Sequence, residues 1–488
     1  MTFWHIPPTG SPLLIDAASG RRLTGDQLRE TIVRLADAIQ SAAPAGRKEL
    51  AFLLMDNSCE AVTAYLALLT AGTAAALVPP HGSAELLVRQ IEAYWPEWLI
   101  GTGEPPTAPA LAEQYDYSFP VTGVWAGRRR ALAWQPINPQ VDLLLGTSGS
   151  TGSPQMVRLS KHNLQANAAS IAAYLGLDDR QRPITSLPLH YSYGLSVLNS
   201  HLLVGATVVC TSEGLMSKAF WEAVRAHGCT SLAGVPYMYA MLRRLRWEQM
   251  ELPSLRVLTQ AGGHLDRPTK EYLLADCQCR GRRFFVMYGQ TEATARISYV
   301  PPERLPDKLD SIGIPIPNGE ICLFDGDREI TVAGETGEIV YRGPNVMLGY
   351  AEGRSCLSRG DDLNGVLHTG DLAVRDSDGY FSIVGRKKRF IKVFGHRINL
   401  DELERLIERA LPVCAACLGR DNNVWVGYTA ADNGAQPPAP IEIRDYLCRT
   451  LQLHPEAIAV RPVDRIPLTP SGKKDYPSLE AEWWPASN

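Results

Sequence analysis

The sequence predicts an α/β chain: a large N-terminal part of α/β subdomains with a small β-barrel, then a small α+β part at the C-terminus. Three observations carry this. Segments of helical period, such as "GDQLRETIVRLADAIQ" (25–40) and "KAFWEAVRAHG" (218–228), alternate with short apolar runs such as "ELAFLLM" (49–55) and "ATVVC" (206–210). That alternation marks helices packed on parallel strands. Between about 294 and 384 the pattern changes to short strands broken by Gly, Pro and Asp-Gly pairs ("GEICLFDGD", "GETGEIVYRGP", "DSDGYFSIVG"), which reads as hairpins or a small barrel. Beyond Gly385 come a basic strand-like run, the helix "LDELERLIERAL" (400–411), more strand, and a helix near 440–452. The expected domains are therefore 1–385 and 386–488.

At 488 residues the chain is too long for a single core. With 45% hydrophobic and 20% charged residues and a formal net charge of -4, it has the balance of a globular protein. No nucleic-acid partner is expected, because the one basic cluster, "GRKKRFIKVFGHR" (385–397), is too short to dominate the field of the chain. No membrane span is expected either. The uncharged stretch "AVTAYLALLTAGTAAALV" (61–78) is mostly alanine and is interrupted by Gly72, so it reads as a buried helix, a glycine stop and a strand. The ten cysteines lack framework spacing, and the pairs Cys277/Cys279 and Cys414/Cys417 lack the further ligands of a zinc site. With no basic-then-apolar leader at "MTFWHIPPTG", a cytoplasmic location with reduced thiols is expected.

The run "GTSGSTG" (146–152) combines backbone N–H groups unhindered by large side chains with four hydroxyls, a composition suited to a polyanion such as a triphosphate. It lacks the glycine spacing and the lysine of a Walker A loop. On its own such a cluster is more often just a flexible loop. Five further stretches follow in order: "QAGGHL" (260–265), "MYGQTEA" (287–293), "GETGEIVYRGP" (334–344), "HTGDLAVRDSDGYFSIVGRKKRFIKVFGHRINLDELE" (368–404) and "PLTPSGKKDY" (467–476). As an ordered set they resemble the adenylate-forming superfamily of acyl-CoA synthetases, adenylation domains and beetle luciferases, and acyl-CoA synthetases most.

The resemblance implies a reaction and a set of roles. A carboxylic acid would react with ATP to give an acyl adenylate and pyrophosphate. The acyl group would then pass to a thiol, preferably that of coenzyme A, or alternatively the phosphopantetheine of a separate acyl carrier protein; a homologue that binds nucleotide or acyl group without catalysis is the remaining alternative. Thr147, Ser148, Gly149, Ser150, Thr151 and Gly152 would hold the β- and γ-phosphates. Gly262, Gly263 and His264 would line the adenine pocket with the ring of Tyr288, continuing into Gly289 and Gln290. Thr291 would meet the α-phosphate and Glu292 would hold Mg²⁺, a hard ion that prefers oxygen. Asp371 would accept both ribose hydroxyls, assisted by Arg386. Lys388 would be the hinge before a small, mobile C-terminal domain. Lys473 would reach the reacting groups during adenylation, because carboxylate attack on a phosphate brings negative charges together and a cation offsets them. Lys474 beside it reads as solvent-facing. Gly395 would let the pantetheine arm pass, since glycine permits close approach.

Two departures and one absence qualify the resemblance. The loop continues Pro154, Gln155, Met156 where the family usually has proline, lysine, glycine, and Arg158 is the nearest replacement cation. Losing a charge-assisted contact of this kind costs about 1–3 kcal/mol. Arg389 stands where many relatives carry aspartate beside the hinge, so the domain movement is expected to differ in detail. Tyr191, in "SLPLHYSYGLSVL" (186–198), occupies the mouth of the acyl pocket or is a core tyrosine. From Ile184 to Ser200 there is no acidic residue to pair with a substrate ammonium. An α-amino acid is therefore disfavoured, and an aliphatic or aromatic monocarboxylic acid is expected.

Overall fold

The computed structural model describes residues 2–80, 84–106, 109–131, 135–146, 155–393, 396–420, 423–431, 437–451, 454–469 and 473–483. Two compact units emerge: residues 1–309, 313–320 and 342–367 form one, and residues 310–312, 321–341 and 368–488 the other.

The first unit contains an eight-stranded sheet ordered Gly349–Ala351, Met156–Leu159, Leu143–Gly146, Ala74–Val78, Leu50–Leu54, Trp98–Thr102, Val124–Arg129, Tyr115–Val121. Its four middle strands run parallel. Strands buried on both faces must be apolar throughout, and "LAFLL" and "AAALV" are. The uncharged 61–78 stretch resolves as expected. Ser58 caps the helix Cys59–Ala71, Gly72 ends it in a left-handed conformation at φ 73°, and Ala74–Val78 follows as a strand. A three-stranded sheet joins Val208–Cys210, Pro12–Asp16 and Arg22–Thr24.

A second large sheet in this unit runs Ser231–Gly234, Val257–Gln260, Arg283–Tyr288, Ser298–Val300, Ile314–Pro315, with the first three strands parallel. The helices Lys161–Leu175 and Ser192–Leu203 share a core with it, in which Ile171, Leu187, Tyr193 and Val257 are buried. No helix among the described residues is long and apolar enough to cross a membrane.

In the second unit, the expected small barrel corresponds to a five-stranded sheet: Arg328–Ile330, Glu320–Asp325, Thr336–Arg342, Val366–Arg375, Phe381–Arg386. The hairpin Phe390–Val393/His396–Asn399 leads into helix Leu400–Ala410. Strands Val413–Arg420, Asn423–Ala430 and Ile458–Pro462 then form a sheet, with helix Pro440–Leu451 crossing between the parallel pair. The expected division at 385/386 falls inside this unit. Across that point, Arg405 donates to Ile383 O at 2.8 Å and to Val384 O.

Candidate active site

The hairpin Leu143–Gly146/Met156–Leu159 closes on the pair Gly146↔Met156. Its tip carries Thr147, Ser148, Gly149, Ser150, Thr151 and Gly152, which lie outside the described residues. Gln155, at the foot of the loop, donates to Glu352 Oε1 at 3.3 Å. Arg158 does not serve as a replacement phosphate cation. Its guanidinium is fully buried and bonds Asp362 Oδ2 at 2.6 Å, Arg359 O at 2.5 Å and Leu348 O at 3.2 Å. Paired with Asp362, it spends its charge holding the 359–362 turn.

Strand Gly349–Ala351 is zipped antiparallel to Met156–Leu159, with Tyr350 opposite Val157. Tyr350 Oη donates to Glu292 Oε1 at 2.8 Å. Burial and the nearby Glu292 charge push the Tyr350 phenol up, so it stays a protonated donor. Glu292 sits in the 3₁₀ turn Thr291–Ala293, and its carbonyl accepts from Met347 N–H at 2.8 Å. Asn345, buried, clamps the same turn by donating to Ala293 O and Arg296 O, both at 2.8 Å, while Thr294 Oγ1 donates to Asn345 O at 2.6 Å. The turn is thus over-determined by backbone and side-chain partners about fifty residues away in sequence. Sequence reasoning missed Asn345 and Tyr350, although both follow directly after the quoted 334–344 motif.

Tyr288 ends strand Arg283–Tyr288 and is half-buried, as are Gly289 and Gln290. Gly289 cannot be another residue: a Cβ there would lie 1.9 Å from Ala295 O. Thr291 Oγ1 is 3.2 Å from Ser192 Oγ at the start of helix Ser192–Leu203, so the turn and that helix meet. Tyr191 immediately precedes that helix. Its hydroxyl is 2.8 Å from where a Cβ on Gly262 would stand, and Gly262 has φ 86°. A glycine is required there for conformation and for space. Gly263 and His264 are exposed, and Gln260 holds the turn by donating to Gly263 O at 2.9 Å. Tyr191, Gly262, Thr291 and Glu292 are therefore brought together by two strand ends and one helix N-terminus.

In the second unit, Asp371 and Arg386 face each other across an antiparallel pair, Nε to Oδ1 at 3.0 Å. Asp371 is 6% exposed, and its own N–H donates to Thr369 Oγ1 at 3.1 Å. Lys388 lies in the 3₁₀ turn Lys387–Arg389, its side chain outside the description, and Gly395 lies outside the described residues. Lys473 closes a tight turn: its N–H donates to Thr469 Oγ1 at 3.1 Å, and its carbonyl accepts from Thr469 N–H at 2.7 Å.

Lys474 is not solvent-facing. Its ammonium bonds Glu404 Oε2 at 2.8 Å, Glu408 Oε1 at 3.1 Å and Ala415 O. Glu404, 4% exposed, also accepts from Arg389 at 2.8 Å, from Cys417 N–H at 2.7 Å and from Tyr476 Oη at 2.9 Å. Burial pushes this carboxyl up, but Lys474 and Arg389 outweigh it and hold it below the usual range. The unusual Arg389 is thereby explained within the chain: it stacks 3.6 Å from the Tyr476 ring and lies 2.8 Å from Asp401.

The AMP-binding enzyme family matches residues 7–351. A feruloyl-CoA synthase of Amycolatopsis sp. is 33% identical over 341 residues, 68% of each chain. An oxalate–CoA ligase of Arabidopsis thaliana is 28% identical over 412 residues, 80% of this chain and 79% of its own. Among solved structures, an O-succinylbenzoate coenzyme A synthetase from Bacillus subtilis in complex with ATP and magnesium ion superposes with a TM-score of 0.76. It is 26% identical and covers 96% of both chains. On this evidence the chain belongs to the AMP-binding enzyme family, as an AMP-forming acid–thiol ligase.

Proposed function

We propose that the chain activates a small carboxylic acid with ATP and passes the acyl group to coenzyme A, with the residue roles read from the sequence. The observation that carries this is the mutual bracing of two elements. The strand holding Tyr350, and through it Glu292, is paired along the strand that leaves the glycine-rich hairpin loop. A phosphate loop and a metal-binding carboxylate need fixed relative positions, and this pairing supplies them.

The donor set fits Mg²⁺, which is typically bound by one or two carboxylates together with substrate phosphates. Glu292 Oε1 takes the Tyr350 hydrogen, which orients the carboxylate so that Oε2 is the ligand offered. When bound, the ion supplies charge neutralisation at the phosphates. The loop Thr147–Gly152 holds the β- and γ-phosphates, Thr291 the α-phosphate, and Gly262, Gly263, His264, Tyr288, Gly289 and Gln290 the base. Asp371 accepts the ribose hydroxyls, oriented by Arg386 across the strand pair. Lys473 is the cation for adenylation, the acid enters past Tyr191, and Gly395 borders the thiol path. Domains 1–385 and 386–488 turn about Lys388 between the two half-reactions. A cytoplasmic location fits the ten cysteines, all free thiols.

ATP–pyrophosphate exchange across a panel of carboxylic acids tests the first step, and mass spectrometry of the thioester tests the second. Acid-dependent exchange followed by an acyl-CoA product is expected. Exchange without acyl-CoA, but with loading of an added acyl carrier protein, would replace coenzyme A by the carrier. No exchange with any acid would sink the reading.

A further inference from the structure

A cavity of about 20 Å³ lies between helices Lys161–Leu175 and Ser192–Leu203 and the parallel strands of the second sheet. Most of its wall is apolar, including Ile171, Leu175, Val257 and Met287. Ser196, Ser200, Ser231 and Thr259 add hydroxyls to that wall, and two larger polar residues, Arg296 and His201, also line it. Arg296, 2% exposed, lies with its guanidinium carbon 4.1 Å from the Tyr193 ring centroid, and its Nε has no hydrogen-bond partner. Its NH1 donates to Ala295 O at 3.3 Å, the guanidinium also shares a side-chain hydrogen bond with Tyr174, and among the described residues no carboxylate pairs with it. His201, 3% exposed, places Nδ1 2.8 Å from Val197 O. A carbonyl only accepts, so Nδ1 carries the hydrogen and Nε2 presents a bare lone pair. Nε2 also has no partner.

One donor and one acceptor, both buried and both unsatisfied, therefore line the same small space. Leaving such groups unmade is expensive. Their pairing selects the missing group. A carboxylate would satisfy Arg296 but would set its oxygens against the His201 lone pair. A methyl group would satisfy neither. A hydroxyl accepts from Arg296 and donates to His201 at once, and it is the size of the water molecule that a cavity of about this volume holds.

We propose that the acid activated by this enzyme carries a hydroxyl group at its end distal to the carboxylate, read jointly by Arg296 and His201. This rests on the reading of Tyr191 as the entrance for the acid. The Tyr191 ring is 6.4 Å from the Tyr193 ring, on whose face Arg296 lies. The reading also refines the expectation of a plain monocarboxylic acid.

The test is ATP–pyrophosphate exchange with matched sets of aromatic and aliphatic acids: each hydroxy acid, its deoxy form, its methyl ether and the corresponding dicarboxylate. For the wild type, kcat/KM should favour a hydroxy acid over its deoxy form by about 10- to 100-fold, the scale of hydrogen bonds to charged groups. The methyl ether, which cannot donate to His201, should lose that advantage. In Arg296→Met and in His201→Leu the hydroxy-to-deoxy ratio should fall to about one. The wild-type comparison stands even if either variant fails to fold. Equal use of hydroxy and deoxy acids, or preference for a dicarboxylate, would overturn this inference while leaving the ligase reading intact. Absence of exchange with every acid would overturn both.

Discussion

Two adjacent lysines in "SGKKD" are chemically identical in the sequence and do different work in the fold. Successive side chains in extended backbone point to opposite sides, and the bridge between Leu468 and Lys474 fixes which side faces inward. Lys474 goes to the buried Glu404 cluster. Lys473→Ala should lower adenylate formation by about 10²- to 10³-fold, the cost of one preorganised donor, with melting temperature and thiolation of ready-made acyl adenylate little changed. Lys474→Ala should instead lower the melting temperature, because removing one partner of a buried ion pair is destabilising, here by less than the full cost of about 3–5 kcal/mol since Arg389 still pairs with Glu404. Calorimetry alongside exchange assays separates the two, and equal effects of Lys473→Ala on both half-reactions would mean that this lysine is structural. Gly395→Trp should leave adenylation normal and block thioester formation, read by single-turnover assays of each step. Roles of this kind are proposed where a motif names a chemistry, as at Glu292 and Asp371. They were not legible at Arg158, whose charge is claimed by Asp362 about two hundred positions later.

At the scale of elements, the turn Thr291–Ala293 shows how backbone geometry holds the Glu292 side chain. Gly289 packs against Ala295 O, Asn345 closes the turn from outside, and Tyr350 orients the carboxylate. Gly289→Ala would force its Cβ against that backbone oxygen, displacing the turn. It should reduce exchange by at least about tenfold, mainly through kcat, because misplacing catalytic groups even slightly is costly. A variant with parental kcat would show that the turn tolerates displacement. Periodicity made the elements themselves legible. Helix Cys59–Ala71, the Gly72 stop and strand Ala74–Val78 follow from capping chemistry and an apolar run, both local properties. The partners of the 291–293 turn were not legible, because Asn345 and Tyr350 carry no local signal of what they face.

Across the whole molecule, acid stability reports on buried titratable groups. Burial lowers the pKa of His201 from 6.5 to about 4, and the Val197 carbonyl offsets this only in part. The unfolded chain therefore binds a proton on this ring between those values while the folded chain does not. Stability from this group is complete above about pH 6.5 and is lost as pH falls toward about 4, on the order of 3 kcal/mol at 1.36 kcal/mol per unit. His190, also lowered by burial, acts in the same direction. Thermal melting of wild type and His201→Gln across that window should show a shallower pH dependence in the variant, and parallel curves would place the titration elsewhere. The sequence by itself determined the α/β class, the order of elements and the family, because periodicity, caps and ordered motifs are local and survive without neighbours. Only the tertiary structure decided that Lys474 pairs with the buried Glu404, that Arg158 is spent on Asp362, and that Arg296 and His201 share a cavity. Those outcomes depend on charges and volumes brought together from distant positions, and a linear pattern does not encode what a buried cation finds beside it.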